Sequence, residues 1–514
     1  MVPNSLGPGE LLTHYGTDEQ KNKYLPKLSN GEYIPCFGLT GPNNGSDATG
    51  NIDTGNLIEK DGKKFINIQL DKRYITLAPV SNLIGLAFNL KDNGLLKEGK
   101  SGITVALLEK DKFDLNMENV HNPLDTGFPN GTIKGNINIP LECIIGGEKM
   151  AGHGWKMLME CLAQGRGVSL PASANAGAKV TTYGMIKYSQ IRKQFKMPLI
   201  KMEGVREKLG DMIYNTTLIS SSINLTNYLL DQGEKPAVIS AVMKQQCTER
   251  ARNVILHGMD IYGGSGICEG PNNFISKYYK SSPIGITVEG SNTLTRSLII
   301  FAQGLNKSHP YIYPILDSIL TNNLEKFKQN FNGIFIHFIK CYLKTFSNPF
   351  NRFNSPQEDL IINTIRFANL SNFMALLGGN LKKQQVLTGK MADILSNIYL
   401  ANSVIWEYEN KNINGPTKLY CLKRLNYSIV NDINFVVDNY PNNLKYLLPK
   451  CKSKSISVDE LNNFIDSYVN SDICMNNLKK DIYFKDNNIL EKLNRNYDDD
   501  NYKDIISVGE YVLK

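Results

Sequence analysis

Residues 286–301 read I-T-V-E-G-S-N-T-L-T-R-S-L-I-I-F, and they contain a single carboxylate, Glu289. It stands between an apolar run (Ile284, Ile286, Val288) and Gly290, at a break before a segment whose apolar residues Leu294, Leu298, Ile299 and Phe301 recur at helical spacing. A carboxylate in apolar surroundings is a candidate base. Desolvation penalises its charged form, so its pKa is expected to rise from about 4.3 towards roughly 6 to 7, the range that suits proton abstraction near neutral pH. Gly290 lets a substrate approach the backbone closely. The competing reading is a surface glutamate in a loop, ahead of a helix capped by Ser291 or Asn292.

The remainder of the chain bears on that choice. Its 514 residues, 41% of them hydrophobic, suffice for large cores and about three domains by length. No run of eighteen or more apolar residues occurs, and the opening M-V-P-N-S-L-G-P-G has neither the basic nor the apolar region of a signal peptide. The nine cysteines are scattered, with no C-x-x-C pair and no histidine at zinc-ligand spacing, which suggests reduced thiols in a cytoplasm and no metal site. A net charge of +8 is spread along the chain with few aromatics interleaved, a pattern that argues against nucleic acid and favours an anionic small molecule or an acidic protein partner.

Along the chain, residues 5–28 predict one or two short helices, with Thr17 as an N-cap. From Ile34 to about Ile145 the period is two, in runs such as I-P-C-F-G-L-T, F-I-N-I-Q-L, Y-I-T-L and N-L-I-G-L-A-F-N-L, as in a compact β-barrel or sandwich. Residues 39–47, L-T-G-P-N-N-G-S-D, end a strand in a turn whose amides and hydroxyls suit a phosphate or a polar ring edge, although an ordinary turn cluster has the same composition. Tyr74 and Thr76 of Y-I-T should share one strand face. After Trp155 the period becomes 3.6, which predicts an antiparallel bundle of helices at roughly 155–189, 203–232, 236–262 and 290–304, with G-E-K-P (233–236) as a tight connection and Gly263-Gly264 closing the third helix. G-G-S-G at 263–266 follows a helix, so it is no dinucleotide fingerprint. In I-R-K-Q-F, a surface Arg192 beside a core Phe195 is the simplest reading of the spacing. Beyond the linker N-K-S-H-P-Y, helices are expected at roughly 311–345, 356–377, 381–410, 416–438 and 457–491, separated by N-P-F-N, G-G-N and Y-P-N-N and followed by a solvated tail, Y-D-D-D-N-Y-K-D.

Taken in order, these pieces resemble the acyl-CoA dehydrogenases, and within them the large bacterial fatty acyl-CoA dehydrogenases that carry an extra helical C-terminal domain. The resemblance implies an α+β multidomain fold: a remnant of an N-terminal helical domain (1–30), a central β-barrel (31–150), a four-helix bundle carrying the base (151–305) and an all-α extension (306–514). It implies FAD as cofactor. F-G-L-T-G-P-N-N-G-S-D is similar to the family's flavin loop, which would set Phe37, Leu39 and Thr40 along the isoalloxazine and Gly45 and Ser46 near the pyrophosphate. Y-I-T is similar to W-I-T, with Tyr74 near the flavin and Thr76 on its reactive edge; R-K-Q-F is similar to R-x-x-F, giving Arg192, Gln194 and Phe195 to the FAD of a neighbouring subunit and implying a dimer at least. D-I-Y-G-G resembles Q-x-x-G-G, with Gly263 and Gly264 near the phosphates, and V-E-G-S-N-T resembles Y-E-G-T-x-Q, with Glu289 as base, Gly290 against the substrate, and Ser291 and Thr293 on the flavin side. Arg166, in Q-G-R-G, falls where the family has an arginine near the CoA nucleotide. Asp260, Tyr74, Gly41 and Thr293 depart from the family's usual glutamine, tryptophan, glutamate and glutamine.

The implied reaction is α,β-dehydrogenation of a saturated medium- or long-chain acyl-CoA to the trans-2-enoyl-CoA in fatty acid β-oxidation, with electrons leaving to an electron-transferring flavoprotein. A non-catalytic assembly subunit with the same fold and an acyl-CoA oxidase-like enzyme are the alternatives. The region 306–514 is expected to serve docking or assembly, and a weaker reading rests its surplus lysines on an anionic membrane face. Met1-Val2-Pro3 enters directly into a helix that follows several others in the family, so the chain is expected to be an N-terminally truncated form that encloses substrate poorly.

Overall fold

In the computed structural model, which describes residues 3–234, 237–346, 355–452, 455–484, 489–495 and 505, Thr17 separates two opening helices. Helix α1 spans Pro3–Tyr15 and α2 spans Asp18–Ser29; the Thr17 hydroxyl accepts from the Gln20 amide while the Gln20 side chain accepts from the Thr17 amide, the reciprocal capping box that an S/T-x-x-Q pattern allows. The expected Lys235-Pro236 part of G-E-K-P, the N-P-F-N separator and the acidic tail 497–504 lie outside the described residues.

The chain divides into two compact units: Met1–Leu170 with Thr287–Ser291, and Pro171–Ile286 with Asn292–Lys514. The first holds a seven-stranded mixed sheet made of β1 (Pro35–Gly38), β2 (Thr54–Lys60), β3 (Lys63–Thr76), β4 (Leu83–Lys91), β5 (Gly102–Glu109), β6 (Val120–His121) and β7 (Asn130–Pro140). Its order is β1-β4-β2-β3-β7-β6, with β5 on the free side of β4. The segment just past β7 returns to β5: the Ile145 amide donates to the Val105 carbonyl at 2.9 Å, and Ile144 bridges antiparallel to Ala106. Strand β4 is buried on both faces, which its near-continuous apolar run requires. Ile84, Leu86 and Phe88 join Ile66, Ile68 and Ile133 in one core, and Leu83 and Ala87 join Leu11 and Leu12 of α1 and Leu158 of α3 (Gly154–Gln164) in another. Gly85 makes room there, since a Cβ on it would lie 2.6 Å from the Phe37 ring.

The helix expected over 155–189 is interrupted. Helix α3 gives way to a π-helical turn, Gly165–Ser169, before α4 (Leu170–Ile191). Pro171 has no N–H to donate to an α-helical acceptor, so an unbroken ladder cannot run through it.

In the second unit, α4 is followed by a two-residue hairpin of β8 (Lys193–Gln194) and β9 (Met197–Pro198), then by α5 (Glu203–Asp231) and α6 (Ala237–Tyr262), as expected. The one-turn α7 (Gly264–Ile267) comes next, and then α8 (Ser276–Thr287), a helix with Pro283 inside it that was not among those expected from the sequence. The expected fourth bundle helix, 290–304, is a short α9 (Asn292–Leu294) that passes into a nine-residue π-helix, Thr295–Gln303, and then α10 (Gly304–Ser308). The C-terminal helices are α11 (Ile312–Leu320), α12 (Leu324–Thr345), α13 (Pro356–Ala375), α14 (Gln385–Glu409), α15 (Gly415–Asn439), α16 (Val458–Val469), α17 (Asp472–Lys479) and α18 (Ile489–Asn494). The long helix expected over 311–345 breaks where Asn322 takes a φ of 51° and Asn323 caps the Lys326 amide, and that over 457–491 breaks where Ser471 caps Cys474.

One continuous core runs from Ala178 and Leu218 through Phe301 to Leu400, Leu425 and Ile465, so the bundle and the C-terminal helices share it. The π-helix is tied into it by a two-pronged ion pair from Arg296 to Asp393 of α14, with Nε and Nη2 at 2.8 and 2.5 Å from the carboxylate oxygens. Helix α12 has no buried residue and leaves Phe331, Phe335, Ile336, Ile339 and Leu343 exposed. Among the described residues no helix is long and apolar enough to cross a membrane.

Candidate active site

In the first unit the turn after β1 is organised by a residue that the sequence reading passed over, Asn44. Its side-chain oxygen accepts from the Gly41 amide at 2.8 Å, and its side-chain nitrogen donates to the Leu39 and Ala48 carbonyls at 3.1 and 2.9 Å. Beneath the turn lies Lys72, fully buried, whose Nζ is 3.2 Å from the Leu39 carbonyl and 3.1 Å from Asp53 Oδ2. Burial pushes the Lys72 ammonium below its ordinary pKa and the Asp53 carboxylate opposes that shift. A buried lysine is costly unless paired, and this one fixes the backbone of Leu39. Its signal in the sequence is parity: Ile66, Ile68 and Leu70 face the core, and Lys72 continues the series.

The turn sits against Y-I-T. The Arg73 amide donates to the Thr40 carbonyl at 3.0 Å. The β3–β7 register shifts between Lys72 and Ile75, and Tyr74 takes a φ of 60°, so a bulge replaces the strict alternation that would set Tyr74 and Thr76 on one face. The Tyr74 ring is exposed, 5.0 Å from the Arg73 guanidinium and 5.3 Å from the His121 ring. Two buried nitrogens beside it, Arg73 Nε and His121 Nε2, have no hydrogen-bond partner among the described residues. Gly45 and Ser46 are exposed, and a Cβ on Gly45 would meet nothing within 4 Å. Phe37 is packed in the core with Leu11 and Leu83.

The five residues Thr287–Ser291 belong to this same unit although they are distant in sequence. The Ser291 hydroxyl lies 3.5 Å from that of Ser46. Glu289 and Gly290 take φ values of 56° and 91°, consecutive left-handed residues in a turn rather than the start of a helix. A glutamate there is strained, and such strain concentrates where geometry serves function. Both Glu289 carboxylate oxygens are shut away from solvent. Arg166, on the π-helical turn, lies within electrostatic reach of that carboxylate: burial pushes its guanidinium below its ordinary pKa, and Glu289 pulls it back up.

The second unit holds the other expected residues. Phe195 and Lys196, with φ of 51° and 63°, form the tip of the β8–β9 hairpin, a type I′ turn. Phe195 is 88% exposed, which overturns its reading as a core residue; Gln194 is exposed and Arg192 half-buried. Gly263 and Gly264 close α6 with bare, exposed backbone, and Thr293 is an exposed residue of α9.

Two family models match this chain: the acyl-CoA dehydrogenase C-terminal domain over residues 152–303, and the bacterial-type acyl-CoA dehydrogenase C-terminal domain over residues 306–486. The chain belongs to the acyl-CoA dehydrogenase family. The members of this family are oxidoreductases that act on CH–CH groups. The chain is 28% identical over 305 residues to an acyl-CoA dehydrogenase of Bacillus subtilis, covering 58% of this chain and 75% of that protein. It is 26% identical over 292 residues to an NADH-dependent acryloyl-CoA reductase of Anaerotignum propionicum, 56% of this chain and 71% of the relative. An acyl-CoA dehydrogenase from Bacillus anthracis, solved in complex with FAD, has a similar fold: the TM-score is 0.70 at 19% identity, over 90% of this chain and 80% of that one.

Proposed function

We propose that this dehydrogenase uses FAD and abstracts the α-proton of a medium- or long-chain acyl-CoA with Glu289, yielding the trans-2-enoyl-CoA in fatty acid β-oxidation. The observation that carries the reading is the solvent-shielded Glu289 carboxylate on a left-handed turn, with Ser291 of the same turn beside Ser46. The residues present fit a flavin. Bare backbone at Gly45 and an exposed aromatic ring at Tyr74 flanked by two unpartnered buried nitrogens suit a flat ring with polar edges and a phosphate tail. FAD, when bound, supplies the hydride acceptor.

The chain's own residues do the rest. Water exclusion strengthens each charge interaction at Glu289, and Arg166 favours its ionised form, so the side chain stands ready to take a proton. The backbone N–H of Glu289 offers a donor to the thioester oxygen as enolate charge develops. Leu39, Thr40 and Thr76 line the ring, and Gly290 leaves room for the acyl chain. Arg192, Gln194 and Phe195, at the exposed hairpin, reach the cofactor of a second copy in a homodimer, with Gly263, Gly264 and Thr293 near the cofactor's outer parts. An electron-transferring flavoprotein takes the electrons in the cytoplasm, and α12 supports docking, including peripheral contact with a membrane.

A second direction of the same chemistry is favoured by the relatives, which include an acryloyl-CoA reductase and a 3-(aryl)acrylate reductase. Anaerobic addition of acyl-CoAs of rising length to the flavin-loaded protein separates the two. Bleaching by saturated thioesters supports dehydrogenation and gives the chain-length preference; bleaching by NADH alone with reoxidation by enoyl-CoA supports reduction. Glu289→Gln should retain flavin and lose about 10² to 10⁴-fold in bleaching rate. A near-normal rate would move the base elsewhere.

A further inference from the structure

Lys244 lies about two turns into α6 and is fully buried. Its Nζ donates to the Ile286 carbonyl at 3.2 Å and to Asn292 Oδ1 at 2.7 Å. These two acceptors belong to the residues on either side of Thr287–Ser291, the five-residue segment that carries the Glu289 turn. One ammonium therefore ties both ends of that turn together. Asn292 is itself held in place: its side-chain nitrogen donates to Thr248 Oγ1 at 2.9 Å and Glu249 Oε1 at 3.0 Å, and Glu249 is paired with Arg252 at 2.7 Å. Thr248 completes the arrangement by donating to the Lys244 carbonyl at 2.7 Å.

We infer that Lys244 is a positioning residue for the reaction, acting through the closure of the Glu289 turn rather than by touching substrate. The inference rests on Glu289 being the base. The physics favours it for three reasons. Lysine is almost never fully buried without a structural demand for its donors. A short turn with two consecutive left-handed residues, at φ of 56° and 91°, keeps its shape only if its ends are over-determined. Ammonium-to-carbonyl bonds in a water-free interior are among the stronger ones available for that purpose. A hydrophobic residue of the same length would fill the space equally well and leave the ends of the turn unlinked.

Lys244→Met tests this directly. Expected are faster amide hydrogen exchange across 287–291, by about tenfold or more, with exchange in the middle of α5 unchanged. In the flavin-loaded protein the maximal rate of bleaching by acyl-CoA should fall by about 10²-fold, the cost of a misplaced reacting group, while the substrate concentration at half-maximal rate changes little. Lys244→Arg, which keeps two donors, should recover part of both. Should Lys244→Met fail to fold, Asn292→Ala removes the same tie from its other end and carries the test. A folded variant with unaltered exchange at 287–291, or one with a weakened half-saturation and an unaltered maximal rate, overturns the inference. If Glu289→Gln proves active, the base assignment fails on its own, and the exchange measurement still decides whether Lys244 sets the turn.

Discussion

Replacing Glu289 by alanine and by glycine should reverse the ordinary stability ranking of those two residues. At most positions Ala→Gly costs about 0.5–1 kcal/mol, because glycine has more backbone freedom to lose on folding. At φ of 56° an L-residue with a β-carbon suffers a steric penalty of about 1–2 kcal/mol that glycine escapes. The two variants lack the carboxylate alike and differ by one methyl group, so the loss of charge and most of the packing cancel between them. The difference leaves Glu289→Gly more stable than Glu289→Ala by about 0.5–1 kcal/mol. Urea denaturation at neutral pH, followed by circular dichroism, resolves such a gap as a displaced midpoint at unchanged slope. Under the proposed function both variants lose bleaching activity by about 10² to 10⁴-fold, so stability and activity move independently. An alanine variant as stable as the glycine variant, or more so, would refute the argument that the turn holds its glutamate under backbone strain.

Three further outcomes are expected. Removing the cation in Arg166→Met makes ionisation of the neighbouring carboxylate harder, so the pH profile of flavin bleaching should move to higher pH; an unmoved or downward-moved profile refutes the coupling. Asp359 has its pKa pushed up to about 6 by burial, with Glu358 adding to the shift and Arg366 opposing it. Between the ordinary 3.8 and about 6 the folded chain keeps a proton that the unfolded chain has released, so this group's contribution to stability falls as pH rises through that window. The melting temperature of Asp359→Asn relative to wild type should therefore climb from pH 4 to pH 7, and a flat difference contradicts it. Gly258→Ala would set a Cβ 2.2 Å from Thr181 Cγ2 where α6 crosses α4, for an expected loss of about 1–3 kcal/mol that a second change, Thr181→Ala, should partly restore; additive losses in the double variant would show that the clash is not the cause.

Periodicity made the long elements legible. The alternation around Ile66, the apolar run around Ile84 and the 3.6-residue pattern through α5 and α6 gave strands and helices close to those observed. What escaped the sequence were places where one residue breaks a period without carrying a turn signal. Pro171 interrupts a helical pattern by withholding an N–H, and the result is a π-turn that no apolar spacing foretells. Helix α8, which holds Pro283, was not among the helices expected. Phe195-Lys196 resembles nothing in the Asn-Gly vocabulary of tight hairpins, yet both residues take its left-handed conformation. Within the candidate site, the apolar neighbours and the following glycine singled out Glu289, whose carboxylate the fold shields from solvent. The fixtures around it were not legible: Asn44 looks like any turn asparagine, and Lys72 and Lys244 look like surface lysines until the strand parity or the helix packing is known.

The β8–β9 hairpin bears on how a second copy would be met. A two-residue loop of this kind closes within about microseconds, far ahead of any encounter between chains, and its two left-handed residues leave the tip little freedom once it is made. The Phe195 ring thus stands exposed at the tip of a turn whose backbone is already set within the single chain, which lessens the ordering required on association. Partners that recognise it would dock against a shape already present, so tightening or loosening of such a contact should register in how long the pair stays together rather than in how fast it forms.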